Sequence, residues 1–391
     1  MKYIKDIKDK IKDLEKVSIL TESMIWETDN ALIWEADQFE GDPYFYTIYK
    51  WQNYYSYSLL ALIIKKGDIN LNDKAVMDAN KDDFLCLSSH TIIDNDIIRI
   101  GGPLHNDQSL TDPDLYLLEL VEAIKADIDH IESLNPGYTN LLMCGGKDSM
   151  NMLLLPWKNP VVALSADPNY DLVCEFVRKN NLKIDVRRLE DLFDSEMLDE
   201  EILECCCRIE LSNWKWGKTL RNITKEFDHK AIIWKGQYSE LLFATNWMDM
   251  VWPMTPLNNF LGKVFRGLWN YLPKFIKYNI GDWISPMSFI KAWDYTSIRL
   301  GGHMAFIRSL CSVLVLSPYV GPHVTKVYSR VNLSRAVQYD RRREFGVLLA
   351  GRDIWYPNEN PGPPLSSFRT KKQRPEHFIS LLTKNGIIPK S

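Results

Sequence analysis

The sequence predicts an α/β protein: a parallel sheet flanked by helices in residues 111–350, a smaller α+β domain before it in 1–110, and a C-terminal extension in 351–391. Three observations predict this. From Asp112 onward, short apolar runs that read as buried strands alternate with amphipathic segments of helical length. A Gly-Gly pair directly follows one of those strands and opens the next helix. Before residue 110 the strand-like runs are aromatic and closely spaced, with no such alternation.

In chain order, residues 2–18 alternate Lys and Asp through their early turns and predict an amphipathic helix, not the apolar core of an export signal. Ala31–Trp34, Tyr44–Tyr49, Phe84–Leu87 and Thr91–Ile93 predict short strands, with Gly101-Gly102-Pro103 as a turn. Leu115, Leu118, Leu120, Val121, Ile124, Ile128 and Ile131 recur at helical spacing until Asn135-Pro136-Gly137 stops them. Tyr138–Met143 then predicts a strand, the Gly-Gly turn follows, and a helix is expected through Leu155 to the stop at Pro156. Strand Val161–Leu164, helix Tyr170–Lys179 and strand Lys183–Val186 continue the alternation, which requires crossover helices between parallel strands. After residue 210 it recurs: Ala231–Trp234 is a buried strand, Gly236–Ser239 turns the chain, and a helix begins near Glu240. Trp247, Trp252, Trp269, Trp283 and Trp293 are expected to pack helices together or to line an apolar substrate or partner surface. The turn-rich stretch from Pro357 to Pro364 is expected at the surface.

Composition narrows the class. A chain of 391 residues that is 46% apolar has material for a sizeable core. Its 47 basic and 51 acidic residues give a net charge of -4 with no long block of either sign, which argues against a nucleic-acid partner. The apolar stretch Met304–Val320 contains Arg308 and Pro318 and is too short and too polar for a membrane span, so a soluble, cytoplasmic protein is expected. The seven cysteines include the run Cys205-Cys206-Cys207 and no Cys-x-x-Cys pair, a pattern that suits neither a disulfide framework nor a zinc site. Reduced thiols are expected, and adjacent cysteines on a helix point in different directions.

The chemistry concentrates at Cys144-Gly145-Gly146-Lys147-Asp148-Ser149. Paired glycines after a strand let backbone amides approach an anion with no β-carbon in the way. Lys147 and Ser149 can donate to phosphate oxygens, and Asp148 can hold Mg2+ beside them or simply cap the helix. The segment lacks the longer glycine-rich turn ending in Gly-Lys-Ser/Thr that a Walker A loop needs.

This hexapeptide resembles the PP-loop of the ATP pyrophosphatases, Ser-Gly-Gly-x-Asp-Ser, with Cys144 at the first position. Within that superfamily residues 110–350 are most similar to the synthetase domain of the asparagine synthetase family, which includes the β-lactam synthetases and lasso-peptide cyclases. That family's second loop, Gly-Glu-Gly-x-Asp-Glu-Leu-Phe, resembles Gly236-Gln237-Tyr238-Ser239-Glu240-Leu241-Leu242-Phe243. Glu240 takes the Asp position, Leu241 replaces the Glu, and Gln237 and Tyr238 replace Glu and Gly. Ser317-Pro318-Tyr319-Val320 resembles the Pro-Phe-Leu-Asp segment, with Gly321 where the Asp would stand. Lys326, Arg330, Arg335 and Arg341-Arg342-Arg343 follow in the region that carries a catalytic cation in the family, and Lys326 and Arg343 are the candidates for that role.

The resemblance implies ATP and Mg2+, with the nucleotide bound by Cys144, Gly145, Gly146, Lys147, Asp148, Ser149, Gly236 and, at the adenine, by backbone groups of Leu164 and Ser165. Asp148 and Glu240 would be the metal ligands and share the catalysis. The implied reaction is adenylation of a carboxylate on a small molecule or peptide, release of pyrophosphate, and capture of the acyl group by an amine or ammonia. The chain begins Met1-Lys2-Tyr3 and has no cysteine before Cys86, so the family's terminal glutaminase nucleophile is not expected. The first domain would then resemble the degenerate companion domain of the β-lactam and lasso-peptide relatives. His303 and His323 leave the general base unassigned, and a homo-oligomer stays open. Two other classes remain: a sulfur-transfer or nucleobase-modifying enzyme with the same adenylation chemistry, and a noncatalytic nucleotide-binding protein that keeps the glycine turn.

Overall fold

The computed structural model describes residues 25–28, 31–34, 44–49, 52–56, 85–87, 91–94, 97–100, 107–192, 214–244, 268, 271–280, 311, 313–337, 339–357, 380, 383–384 and 386. The side chains of the strands before residue 107, of Asp148, of residues 214–218 and of Ala244 lie outside that description. The expected helix at 2–18, the turn at 101–103, the three-cysteine run, the five tryptophans between 247 and 293, His303 and most of the turn-rich tail also fall outside it.

Among the described residues, the first part of the chain contributes seven strands: β1 (Ile25–Thr28), β2 (Ala31–Trp34), β3 (Tyr44–Tyr49), β4 (Gln52–Ser56), β5 (Leu85–Leu87), β6 (Thr91–Asp94) and β7 (Ile97–Ile100). They form two antiparallel sheets, ordered β1-β2-β6-β7 and β4-β3-β5. Four of them match the strands expected from sequence.

The helix Pro113–Leu134 opens the second part. Asp112 caps it, accepting from the backbone N–H groups of Asp114 at 2.8 Å and Leu115 at 2.9 Å, and proline occupies its first position, where no N–H partner is needed. Its buried stripe runs Tyr116, Leu117, Leu120, Val121, Ile124, Ile128 and Ile131. Five parallel strands follow among the described residues: β8 (Thr139–Met143), β9 (Val161–Ser165), β10 (Asp185–Arg188), β11 (Ala231–Lys235) and β12 (Leu314–Leu316), in the order β10-β9-β8-β11-β12. This part of the chain is an α/β fold, a parallel sheet with helices on both faces.

Alternation along the strands divides the core. Leu142, Ala163, Ile232, Trp234 and Leu316 face the helices Pro113–Leu134, Tyr170–Lys179, Pro322–Tyr328 and Arg342–Ala350. Leu141, Val162, Leu164, Ala231, Ile233 and Val315 face Leu220 and Ile223 of the helix Trp214–Glu226. Asn140 is fully buried because its amide is matched on both sides, accepting from the Trp234 indole at 2.7 Å and donating to Glu132 at 2.7 Å.

Several elements differ from expectation. The helix expected through Leu155 is one α-turn, Lys147–Met150, followed by the 3-10 turn Asn151–Leu154. The Trp157 indole donates to the Met152 carbonyl at 2.8 Å and the Asn151 side chain is claimed by the far end of the chain, so groups from outside hold this segment in the tighter turn. The third strand sits two residues later than Lys183–Val186, with Arg187 and Arg188 in it; an edge strand tolerates such side chains. The segment after Glu240 is a single wide π-type turn, Glu240–Ala244. β12 comes from within the apolar stretch ending at Val320 and was not expected. The core also runs past residue 350, taking in Ile354, Trp355 and Tyr356. Among the described residues no helix is long and apolar enough to cross a membrane.

Candidate functional site

The chain lays down β8, β9 and β10 in one direction and then returns to the other side of β8 for β11 and β12. Connections therefore leave β8 and β11 in opposite directions, and their carboxyl ends form the switch point at which open α/β sheets place ligands. Both loops singled out from sequence begin there: β8 ends at Met143 and β11 at Lys235, paired in register.

In the first loop Cys144 is 1% exposed, with its N–H on the Leu164 carbonyl at 2.8 Å and its own carbonyl accepting from the Ser165 hydroxyl at 2.7 Å. The thiol lies inward, and burial pushes it up to about 12. Leu164 and Ser165 thus brace the loop from β9. Gly145 is exposed, with open space where a β-carbon would stand. The N–H groups of Gly145 and Gly146 converge on the Ser149 hydroxyl, at 2.8 and 3.2 Å, and that hydroxyl donates to the Gly146 carbonyl at 2.9 Å. Lys147 is partly exposed.

Asn169, which the sequence reading missed, donates to the Gly145 carbonyl at 2.6 Å. It precedes the helix Tyr170–Lys179, so the end of β9 clamps the loop that follows β8. The available signal was an asparagine at the start of a helix next to a strand end, a place where such residues usually bond locally.

The second loop meets the first at Gly236. A β-carbon on Gly236 would lie 2.7 Å from both Cα and Cβ of Ser149, so only glycine permits the approach. The Ser239 hydroxyl donates to the Gly236 carbonyl at 3.0 Å, and the Ser317 hydroxyl, from the loop after β12, donates to the Gln237 carbonyl at 2.8 Å. Tyr238 has φ 71°, a left-handed conformation uncommon for a bulky residue, at the position where the resembled loop has glycine. Glu240 is exposed, whereas Leu241 is 2% exposed and belongs to the core. Phe243 fixes the far end of the loop by stacking on Phe345, with ring centroids 3.9 Å apart.

A carboxylate from elsewhere in the chain fills the space at Gly321. Gly321 precedes the helix Pro322–Tyr328, and a side chain there would overlap the carboxylate of Asp127, which is 2% exposed. Asp127 caps this helix from across the core, accepting from the N–H groups of His323 and Val324 at 3.1 Å each. His323 also places Nδ1 2.7 Å from the same carboxylate. Its role is therefore tied to this cap.

The basic stretch separates into individual fates. Arg330 pairs with Glu119, and Arg335 lies 5.4 Å over the Tyr278 ring. Arg341 is buried and joins Glu344, Asp114 and the Pro113 carbonyl, tying the helix Arg342–Ala350 to the start of Pro113–Leu134. Arg342 pairs with Asp340 at 3.0 Å. Lys326 and Arg343 are exposed on their helices. The structure brings together Gly145, Gly146, Ser149, Gly236 and, through Cys144, Leu164 and Ser165; no contact of that kind ties Lys326 or Arg343 to them.

Comparison of the chain with protein-family models gives no match, and comparison with curated proteins gives no significant one.

Proposed function

We propose that this chain is an ATP-dependent carbon–nitrogen ligase of the asparagine synthetase type, which adenylates a substrate carboxylate, releases pyrophosphate and passes the acyl group to an amine or ammonia. The observation that carries the reading is the apposition of Gly236 and Ser149: two loops far apart in sequence, each resembling a loop of that family, meet at the switch point of a parallel sheet. Tyr238 adds support, since its left-handed backbone keeps the path that glycine gives the resembled loop.

A polyphosphate fits the residues present. Gly145 is open to solvent and two glycine N–H groups converge on one oxygen, that of Ser149; a phosphate oxygen at that point would replace the serine hydroxyl as their acceptor and free the hydroxyl to donate to it. Bound ATP would supply a phosphorus open to attack by the carboxylate and a pyrophosphate leaving group, with Mg2+ neutralising the charge that develops. The loop amides, Lys147 and Ser149 would hold the departing phosphates, and Asp148 and Glu240 would hold the metal. Lys326 and Arg343 remain candidate cations on this reading. Leu241, buried where the family has an acid, leaves Glu240 as that loop's single acidic contribution.

Burial of Leu241 is also the observation that favours the second reading, a nucleotide-binding protein that no longer turns over. The buried Cys144 thiol, held protonated, suits the sulfur-transfer alternative poorly. Product analysis decides among them. With ATP, Mg2+, amines and a panel of carboxylates, the ligase yields AMP and pyrophosphate without ADP, and oxygen-labelled carboxylate passes its label to AMP. ADP with free phosphate would reject adenylation, and nucleotide binding with no turnover across the panel would leave the binding protein. Asp148→Asn is expected to abolish AMP formation while the fold persists; undiminished turnover would remove Asp148 from the site.

A further inference from the structure

We propose that Asn169, together with Ser165, is a positioning residue that aims the Gly145 and Gly146 amides at a bound phosphate, an assignment that rests on the nucleotide-binding reading above. Across a trans peptide the carbonyl and the N–H point in opposite directions, so a group that holds the oxygen also aims the hydrogen. The Cys144 carbonyl accepts from the Ser165 hydroxyl at 2.7 Å, and the N–H of the same peptide, that of Gly145, reaches Ser149 Oγ at 2.8 Å. The next peptide repeats the arrangement. The Gly145 carbonyl accepts from Asn169 Nδ2 at 2.6 Å, and the Gly146 N–H reaches the same Ser149 oxygen at 3.2 Å. Two successive peptides are thus held by their oxygens from β9, and their N–H groups converge on one point, as a concave anion site requires.

Steric contacts do not select this orientation. Gly145 has open space where a β-carbon would stand, and glycine backbone reaches alternative conformations with little penalty, so the Gly145-Gly146 peptide could also turn its carbonyl toward the same point. Hydrogen bonds have to decide. Ser165 ends β9 and is 1% exposed; Asn169 is fully buried and held through its own backbone, donating to the Ala166 carbonyl at 2.9 Å and accepting from the Val173 N–H at 3.0 Å.

Asn169 also stands at the N-cap of the helix Tyr170–Lys179, where an asparagine side chain ordinarily accepts from that helix's first N–H groups, yet its side chain makes no such bond. Its amide reaches across to the loop after β8 instead. A hydrogen bond to the Gly145 carbonyl polarises the peptide as well as orienting it, which makes the Gly146 N–H the stronger donor to an anion.

The full chain tests this through glycine labelled at both carbonyl carbon and nitrogen. The sequence holds three Gly-Gly peptides, Gly101-Gly102, Gly145-Gly146 and Gly301-Gly302, so a carbonyl-filtered amide NMR spectrum isolates the Gly146 signal, and Gly145→Ala identifies it by its loss. In wild type and in the surface control Lys158→Met, Mg2+-pyrophosphate is expected to move that signal. Asn169→Ala is expected to displace it before any ligand is added, and near-isosteric Asn169→Asp, which sets an acceptor against the carbonyl, serves where the alanine variant does not fold. By isothermal titration calorimetry Asn169→Ala and Ser165→Ala should each bind pyrophosphate about 10-fold more weakly, with Ser165→Thr, which keeps the hydroxyl, closer to wild type than Ser165→Ala. A merely structural asparagine would lower the urea midpoint and leave the affinity and the Gly146 signal of the folded chain as in wild type; that result overturns the assignment alone. Failure of the wild-type chain to bind either pyrophosphate or a nonhydrolysable ATP analogue overturns the nucleotide reading and the assignment with it.

Discussion

Gly236 lies so close to Ser149 that a β-carbon would stand 2.7 Å from both Cα and Cβ of the serine, which makes the contact between the two loops a backbone-to-residue contact with nothing soft in it. Gly236→Ala is therefore expected to push the loops apart at a cost of about 1–3 kcal/mol, read as a lower urea midpoint. Binding of the proposed nucleotide should weaken further than stability does. A variant with unchanged midpoint and binding would show that the loops separate freely.

Asp127 stands in for a side chain that Gly321 does not have. Removing it in Asp127→Ala strands the N–H groups of His323 and Val324 in a buried setting, and about 2–3 kcal/mol of stability should be lost. Gly321→Asp in the Asp127→Ala background should recover part of this, because an aspartate at that position can cap the helix locally. Gly321→Asp alone should destabilise, since its side chain would meet the Asp127 carboxylate. A double-mutant cycle in urea reads the coupling, and strict additivity would disprove it.

Tyr356 links the segment after the helix Arg342–Ala350 to the turn after the first loop. Its hydroxyl donates to Asn151, whose amide donates to the Arg342 carbonyl at 3.1 Å, and its ring lies 5.3 Å from that of Phe176. Tyr356→Phe should cost about 1–2 kcal/mol, and truncation at residue 350 far more, because the whole ring leaves the core. Burial raises the Tyr356 phenol above its ordinary value of 10.0, with Arg343 and Arg342 opposing. The folded state then keeps that proton to higher pH than the unfolded state does. Its contribution is complete below about pH 10 and is lost as pH rises beyond it. The stability advantage of wild type over Tyr356→Phe should be level from pH 7 to 9 and shrink above 10; an advantage growing with pH would contradict the assigned environment.

Cys144, held protonated by burial, should resist iodoacetamide at pH 8 in the folded chain, whereas the partly exposed Cys174 should react. Mass spectrometry of the alkylated peptides checks both. Cys144→Ser, which restores the residue of the resembled loop, should fold with a stability change within about 1 kcal/mol. The new hydroxyl would lie near the Ser149 carbonyl, 3.9 Å from the present sulfur, and should leave binding of the proposed nucleotide intact. Rapid labelling of Cys144 under native conditions would mean that the loop opens.

The sequence alone determined the elements whose cause is local. Asp112, Pro113 and the apolar spacing to Ile131 specify a helix wherever it packs, and Val161–Leu164 and Ala231–Trp234 are uniform enough to read as buried strands of a parallel sheet. The Gly-Gly turn after β8 and the glycine after β11 were legible as loops for the same reason. Tertiary structure decided whatever depends on a partner arriving from far along the chain. β12 is three residues long and becomes a strand through its pairing with β11, and the turn after Met150 tightens under side chains from Trp157 and Tyr356. Nothing near Gly321 in sequence indicates that Asp127 fills its place, nor does Lys235, a polar residue at a strand end, read as buried. The order β10-β9-β8-β11-β12 brings Gly236 against Ser149, and periodicity could not supply it: strand order is set by which buried faces the crossover helices can cover, a property of the assembled sheet and not of any segment in it.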